Sequence, residues 1–81
     1  MMDSERIKQL IEAGLPDCHA EVDGDGHHFQ AIIVSPVFEG KLILQQHRLV
    51  KDVLKQHFDS GELHALSMKT LTPEQSRAGQ S

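Results

Sequence analysis

At 81 residues the chain is one domain with no room for a second, and a domain of that size buries only about 60% of the surface its unfolded chain exposes. A deep, dry catalytic pocket is hard to build from so little material. Charged residues make up 25% and hydrophobic ones 38%, an ordinary globular balance, and the formal net charge of −4 argues against non-specific binding to DNA or to an anionic membrane.

In chain order, Asp3 or Ser4 caps a first helix, on which Ile7, Leu10, Ile11 and Leu15 recur at helical spacing as one apolar face. Gly14 followed by Pro16 stops it. Ala20 and Val22 mark a short strand. Asp23-Gly24-Asp25-Gly26 is then the clearest hairpin turn in the chain, because glycine accepts positive φ without steric cost. Phe29 to Ser35 is short, apolar and β-branched, which favours a strand over a helix. Pro36 ends it, and Val37 to Lys41 reads as a connector with a glycine bend.

A second helix is expected from about Leu44 to Phe58, with Val50, Val53, Leu54 and Phe58 on one side and Arg48, Lys51, Asp52, Lys55 and Gln56 on the other. Asp59-Ser60-Gly61 ends it. Leu63 to Leu71 reads as a third strand, and Thr72-Pro73-Glu74-Gln75 as a helix start with cap, proline and capping-box partner in place. Ser76 to Ser81 carries no apolar residue larger than Ala78 and is expected to form a flexible tail, leaving residues 1–75 as the domain. The expected fold class is α+β, in the order α-β-β-α-β-α. A hairpin joins the first two strands, and the helical crossover sets the third strand parallel to one of them in a small three-stranded mixed sheet.

Cys18 is the only cysteine, so no internal disulfide is possible. The amino terminus lacks the basic stretch and apolar run of a secretory signal. No apolar run approaches the roughly 20 residues that span a bilayer. The expected compartment is the cytoplasm, without membrane attachment. Trp and Tyr are absent and Phe occurs three times, which is poor equipment for stacking nucleobases.

Six histidines are the compositional oddity. His27 and His28 end the glycine-rich turn and His64 opens the third strand. Parallel pairing of the second and third strands would bring His28 and His64 to one end of the sheet, where imidazoles suit transition metals or proton shuttling. The plainer reading is solvated loop histidines. His47 borders the apolar side of its helix, where a hydrogen-bonded, half-buried ring suffices. His57 lies near a helix end, where an imidazolium complements the dipole. His19 is expected on an exposed strand position.

Several motifs fail. A calcium loop begun at Asp23 would need a carboxylate where Val34 stands. Gly24 and Gly26 lack the third glycine and the helix of a dinucleotide site. Cys18 and His19 are strand neighbours on opposite faces, so they make no nucleophilic dyad. Arg48, Lys51 and Lys55, extended by Lys41, form a basic stripe that can rest on phosphates, although Asp52, Asp59 and Glu62 dilute it.

Ser35-Pro36-Val37-Phe38-Glu39-Gly40-Lys41, then Gln46-His47-Arg48-Leu49-Val50, then Leu63 to Pro73 together resemble the signature of the BolA family. Gly24 to Gln30 further resembles its IbaG-like branch. The resemblance implies a three-stranded sheet with helices on one face, similar to a type II KH domain but without the GxxG loop that clamps RNA. It implies a non-enzymatic adaptor in iron–sulfur trafficking or iron homeostasis. Such an adaptor is partnered with a monothiol glutaredoxin and shares a [2Fe–2S] cluster with it and with glutathione. A self-association, if formed, is weak.

In that scheme a histidine at the start of the third strand, here His64, is one ligand. The loop between the first two strands supplies the other. His27 and His28 both stand there, and a gapless reading of some relatives puts Asp25 in that place. An alternative role implied by the resemblance is a DNA-binding regulator of stress response or cell shape, using His47, Arg48, Lys51, Lys55 and Lys41. Two positions depart from the family's habit. Gln46 stands where Arg is frequent, weakening the basic surface, and Ser76 where Trp is frequent, weakening the docking of the last helix.

Overall fold

The computed structural model describes residues 2–78. Helix α1 (Ser4–Gly14) starts where the Asp3 carboxylate accepts the Arg6 amide at 2.8 Å, an N-cap that satisfies one of the orphan donors of the first turn. It buries Ile7 and Ile11. Strand β1 (His19–Gly24) then turns into β2 (His28–Val34), and a single 3-10 turn at Pro36–Phe38 leads to helix α2 (Ile43–Val53). A short helix α3 (Lys55–Asp59), strand β3 (Ala65–Leu71) and helix α4 (Pro73–Ala78) complete the order.

The sheet order is β1-β2-β3, antiparallel between the first two strands and parallel between the last two. Burial alternates along β2: Phe29, Ala31 and Ile33 are buried, while His28, Gln30 and Ile32 are exposed. The inward residues meet Ile7, Ile11, Val50, Leu54 and Phe38 in one core. The outward face carries His19, Glu21, Ile32 and Lys69. With Val34, Leu71, Gln75 and Ser76 these line an open hollow of about 280 Å³. α1, α2 and α3 thus cover one face, and α4 borders the other.

Apart from Gln46 and the third strand, which begins at Ala65 and not at Leu63 and so leaves His64 just ahead of it, expected and observed structure differ in three places. The helix expected from Leu44 to Phe58 is two helices, divided at Leu54, whose backbone lies at φ −100°, ψ 8°. The break leaves Val50, Leu54 and Phe58 all packed in or against the core. Ser76 to Ala78, expected in the tail, complete α4, whose start is the anticipated box: the Thr72 amide donates to Gln75 Oε1 at 2.9 Å, and the Gln75 amide donates to Thr72 Oγ1 at 3.2 Å. The remainder of the expected tail, 79–81, lies outside the described residues. Third, of the two turn glycines only Gly26 has positive φ, at 99°. Gly24 is small for another reason, since a Cβ there would stand 2.5 Å from the His28 carbonyl oxygen.

Gln46 is the larger surprise. It is buried, at 5% exposure, and does not belong to the basic surface at all. Its amide nitrogen donates to the carbonyls of Phe38 (3.1 Å) and Lys41 (2.9 Å), and its oxygen accepts the Thr70 hydroxyl at 2.6 Å. One side chain therefore ties the bend, α2 and β3 together. Nearby, Ser35 Oγ donates to the Pro16 carbonyl at 2.7 Å and accepts the Val37 amide. Among the described residues no helix is long and apolar enough to cross a membrane.

Two substitutions follow from these contacts. Gln46→Ala removes the side-chain partner of the Thr70 hydroxyl and of the Lys41 carbonyl, leaves the Phe38 carbonyl with the Lys41 amide alone, and should lower unfolding free energy by about 2–3 kcal/mol. Gly14→Ala would drive a Cβ to 2.5 Å from Val53 Cγ1, where α1 meets α2, and should cost roughly 1–3 kcal/mol through overpacking. Urea unfolding of both variants checks this, and a midpoint unchanged in either would contradict the contact assigned to it.

Candidate functional site

The parallel ladder pairs His28 with Ala65. The residues immediately before that pair are His27 and His64, so both arrive at the same end of the sheet. Their rings face each other with centroids 6.3 Å apart and planes tilted by 31°. Both residues are exposed. Of the two adjacent turn histidines it is therefore His27 that makes the ring contact with His64. His28 is the first residue of β2 and shares the outward parity of Gln30 and Ile32.

Each histidine follows a turn braced by a carboxylate. In the first, Asp25 Oδ1 accepts the amides of His27 and of His28, both at 2.9 Å, and the Asp25 amide donates to the His28 carbonyl at 3.2 Å. Those amides, His28 first and then His27, hold the Asp25 carboxyl below the usual carboxylate range. In the second, Glu62 Oε1 lies 3.1 Å from His57 Nδ1 and accepts the Ser60 hydroxyl at 3.1 Å. His57 first and Ser60 next lower its pKa. The Leu63 amide donates to the His57 carbonyl at 3.0 Å, and Leu63 itself is 1% exposed. His64 is thus held between a buried leucine and the first residue of β3. His57 has a specific partner in Glu62, beyond the helix-end role its position implied.

The other candidates sit apart from this pair. His19 is exposed, with Nδ1 3.7 Å from Glu12 and Nε2 3.9 Å from Glu21. His47 is half-buried on α2, and Arg48 and Lys51 are exposed. Lys41 Nζ donates to the Val37 carbonyl at 2.8 Å, and Lys55 pairs with Asp59 at 2.8 Å. Lys51 and Lys55 share a hollow with Asp52 and Asp59. The basic stripe is consequently interleaved with acid, and two of its four cations are already engaged. Leu42, Ile43 and Leu44, at the start of α2, are 72%, 60% and 71% exposed. They follow the C-terminal end of β2, the opposite end of the sheet from His27 and His64.

Sequence reasoning gave His64 and the loop histidines but missed the clamping roles of Asp25 and Glu62. A signal for the first existed, since an aspartate two and three residues before the amides it accepts is the pattern of an Asx turn. The His57–Glu62 contact joins a helix to a later loop and leaves no such local trace.

A family model described as BolA-like protein matches residues 10–75. Mouse BolA-like protein 2 is 40% identical over 76 residues, spanning 88% of this chain and 81% of that protein. The acid stress protein IbaG of Escherichia coli K12, whose branch the turn resembles, is 31% identical over 72 residues, spanning 89% and 86%. The solved structure of a BolA homologue from Coxiella burnetii matches with a TM-score of 0.87 at 45% identity, over 95% of this chain and 99% of that one. The chain belongs to the BolA family.

Cys18 is the one thiol in the sequence and lies part-buried at the start of the sheet. Burial first, and the Glu12 charge second, push its thiol up to about 11. Thiolate is the reactive and metal-binding form, so Cys18 is poorly suited to either task at neutral pH. Alkylation by iodoacetamide at pH 8 should run about 100-fold slower than for an unstructured cysteine peptide. A rate equal to the peptide's would show the thiol to be activated instead.

Proposed function

We propose that this chain is a non-catalytic adaptor that joins a monothiol glutaredoxin around a shared [2Fe–2S] cluster, with His64 and His27 as its own ligands. The observation that carries this reading is the exposed pair of imidazoles 6.3 Å apart at one end of the sheet. Two rings bound to one metal ion at metal–nitrogen distances near 2 Å stand on the order of 5 Å apart between centroids. The pair is therefore within a small turn adjustment of that spacing. Imidazole is a sound ligand for iron, and an exposed pair leaves the outer side of the site open to donors from a partner.

The glutaredoxin and glutathione supply the thiolates in this reading, so the combined donor set is mixed nitrogen and sulfur. Substituting imidazole for thiolate reduces the negative charge around the iron and raises its reduction potential. That suits transfer or sensing of the cluster more than low-potential electron supply. This chain's own contribution is to hold two rings near the required separation before the partner arrives. The other role, DNA binding through Arg48 and Lys51, has less behind it, because Lys41 and Lys55 are engaged and Asp52 and Asp59 sit among them.

Mixing the purified chain with a cluster-loaded monothiol glutaredoxin should change the visible absorption and circular dichroism. His64→Ala should abolish the change and His27→Ala should weaken or abolish it, while His28→Ala should leave it intact. Spectra that change identically with the His64→Ala and His27→Ala proteins would overturn the ligand assignment. Spectra that never change with the wild-type protein would overturn the cluster reading itself.

A further inference from the structure

We infer that Asp25 is the positioning residue that sets His27 against His64, through its side-chain acceptor and not as a ligand; the inference rests on reading that ring pair as a metal site. The two histidines of the pair are held very differently. His64 lies between Leu63, sealed in the core, and Ala65, already paired with His28 in the ladder. His27 shares the ladder on one side, through His28, but has no core residue on the other. It stands one residue before β2, where the pleat does not dictate its direction, and it follows Gly26, whose φ of 99° lies in the region that glycine enters most freely.

What fixes the chain at this point is one carboxylate oxygen. Asp25 Oδ1 accepts the amides on both sides of the His27 residue, its own and that of His28, each at 2.9 Å. The Asp25 amide closes the ring of contacts on the His28 carbonyl. Oδ1, with both amides on it, is committed to the turn. In this inference the position that a gapless reading of some relatives offers as a ligand holds the residue that aims the ligand. His28, committed by the strand to the outward face, is left outside the pair.

The inference predicts a loss on removing the acceptor and a rescue on restoring it without charge. In the isolated, metal-free protein, a nuclear Overhauser effect between the ring protons of His27 and His64 should be present in the wild type, lost in Asp25→Ala and retained in Asp25→Asn. Isothermal titration with Ni²⁺ alone should show Asp25→Ala binding about 10- to 100-fold more weakly, the usual range for loss of a group that orients a ligand, with Asp25→Asn within about threefold of wild type. Unchanged strand amide shifts in Asp25→Ala would separate loss of aim from loss of fold.

An Asp25→Ala protein that keeps the ring contact and binds Ni²⁺ as the wild type does overturns the inference. So does an Asp25→Asn protein as weak as Asp25→Ala, since charge and not the acceptor would then be responsible. Both readouts use this chain alone. A glutaredoxin complex with an unaltered spectrum would therefore sink the cluster reading while leaving Asp25's role standing.

Discussion

The site depends on the register of one parallel strand pair. Because His28 faces Ala65, the residues before them are brought to the same level of the sheet, and both are histidines. A slip of one residue in a β ladder moves every side chain to the opposite face. Here it would expose Phe29, Ala31 and Ile33 and bury Gln30, so the core enforces the register that the imidazole pair requires. The pair is in this sense a by-product of core packing at β2. Its placement needs no contact between the rings themselves.

Register alone does not hold β3 in place, since β3 is an edge strand whose other neighbour is solvent or helix. The buried amide of Gln46 supplies a further restraint by bonding Thr70 on β3 from one side and the Phe38 and Lys41 carbonyls of the bend from the other. A buried polar network stabilises only when each member is satisfied, and this one is. It pins the crossover at the end of the sheet away from the histidines. Leu63, the Leu63 amide and the His57–Glu62 contact then fix the return of the chain into β3 at the near end. Both ends of the crossover are thereby anchored.

Much of this fold was legible because its signals are local and periodic. Asp3, Thr72 and Gln75 act as the caps they resemble, and the apolar run from Phe29 forms the central strand. The break at Leu54 was not legible, because no glycine or proline interrupts the helical pattern there and the backbone departs at a single buried leucine. Gln46 was misassigned to the surface for a related reason. A glutamine beside His47 and Arg48 has the composition of an exposed face, and only the fold reveals three partners within reach. Which of His27 and His28 meets the His64 ring was equally beyond the sequence. The start of the strand at His28 and the turn before it have no periodic signature.

The same contrast bears on how so small a domain could present the metal-binding pair proposed here. A closed site would need three or four donors converging in an interior that this chain fills with apolar side chains such as Phe29, Phe38, Leu54 and Leu63. Two exposed rings at the end of a sheet cost little core, because each sits on a turn whose conformation is fixed by its own carboxylate or by one buried neighbour. In the proposed reading such a pair fills only part of a metal's coordination, so stable binding requires a second protein to bring the rest. That reading divides the labour: this chain would contribute direction and separation, its partner would contribute sulfur, and the strength of the complex would depend on whether the cluster is present between them.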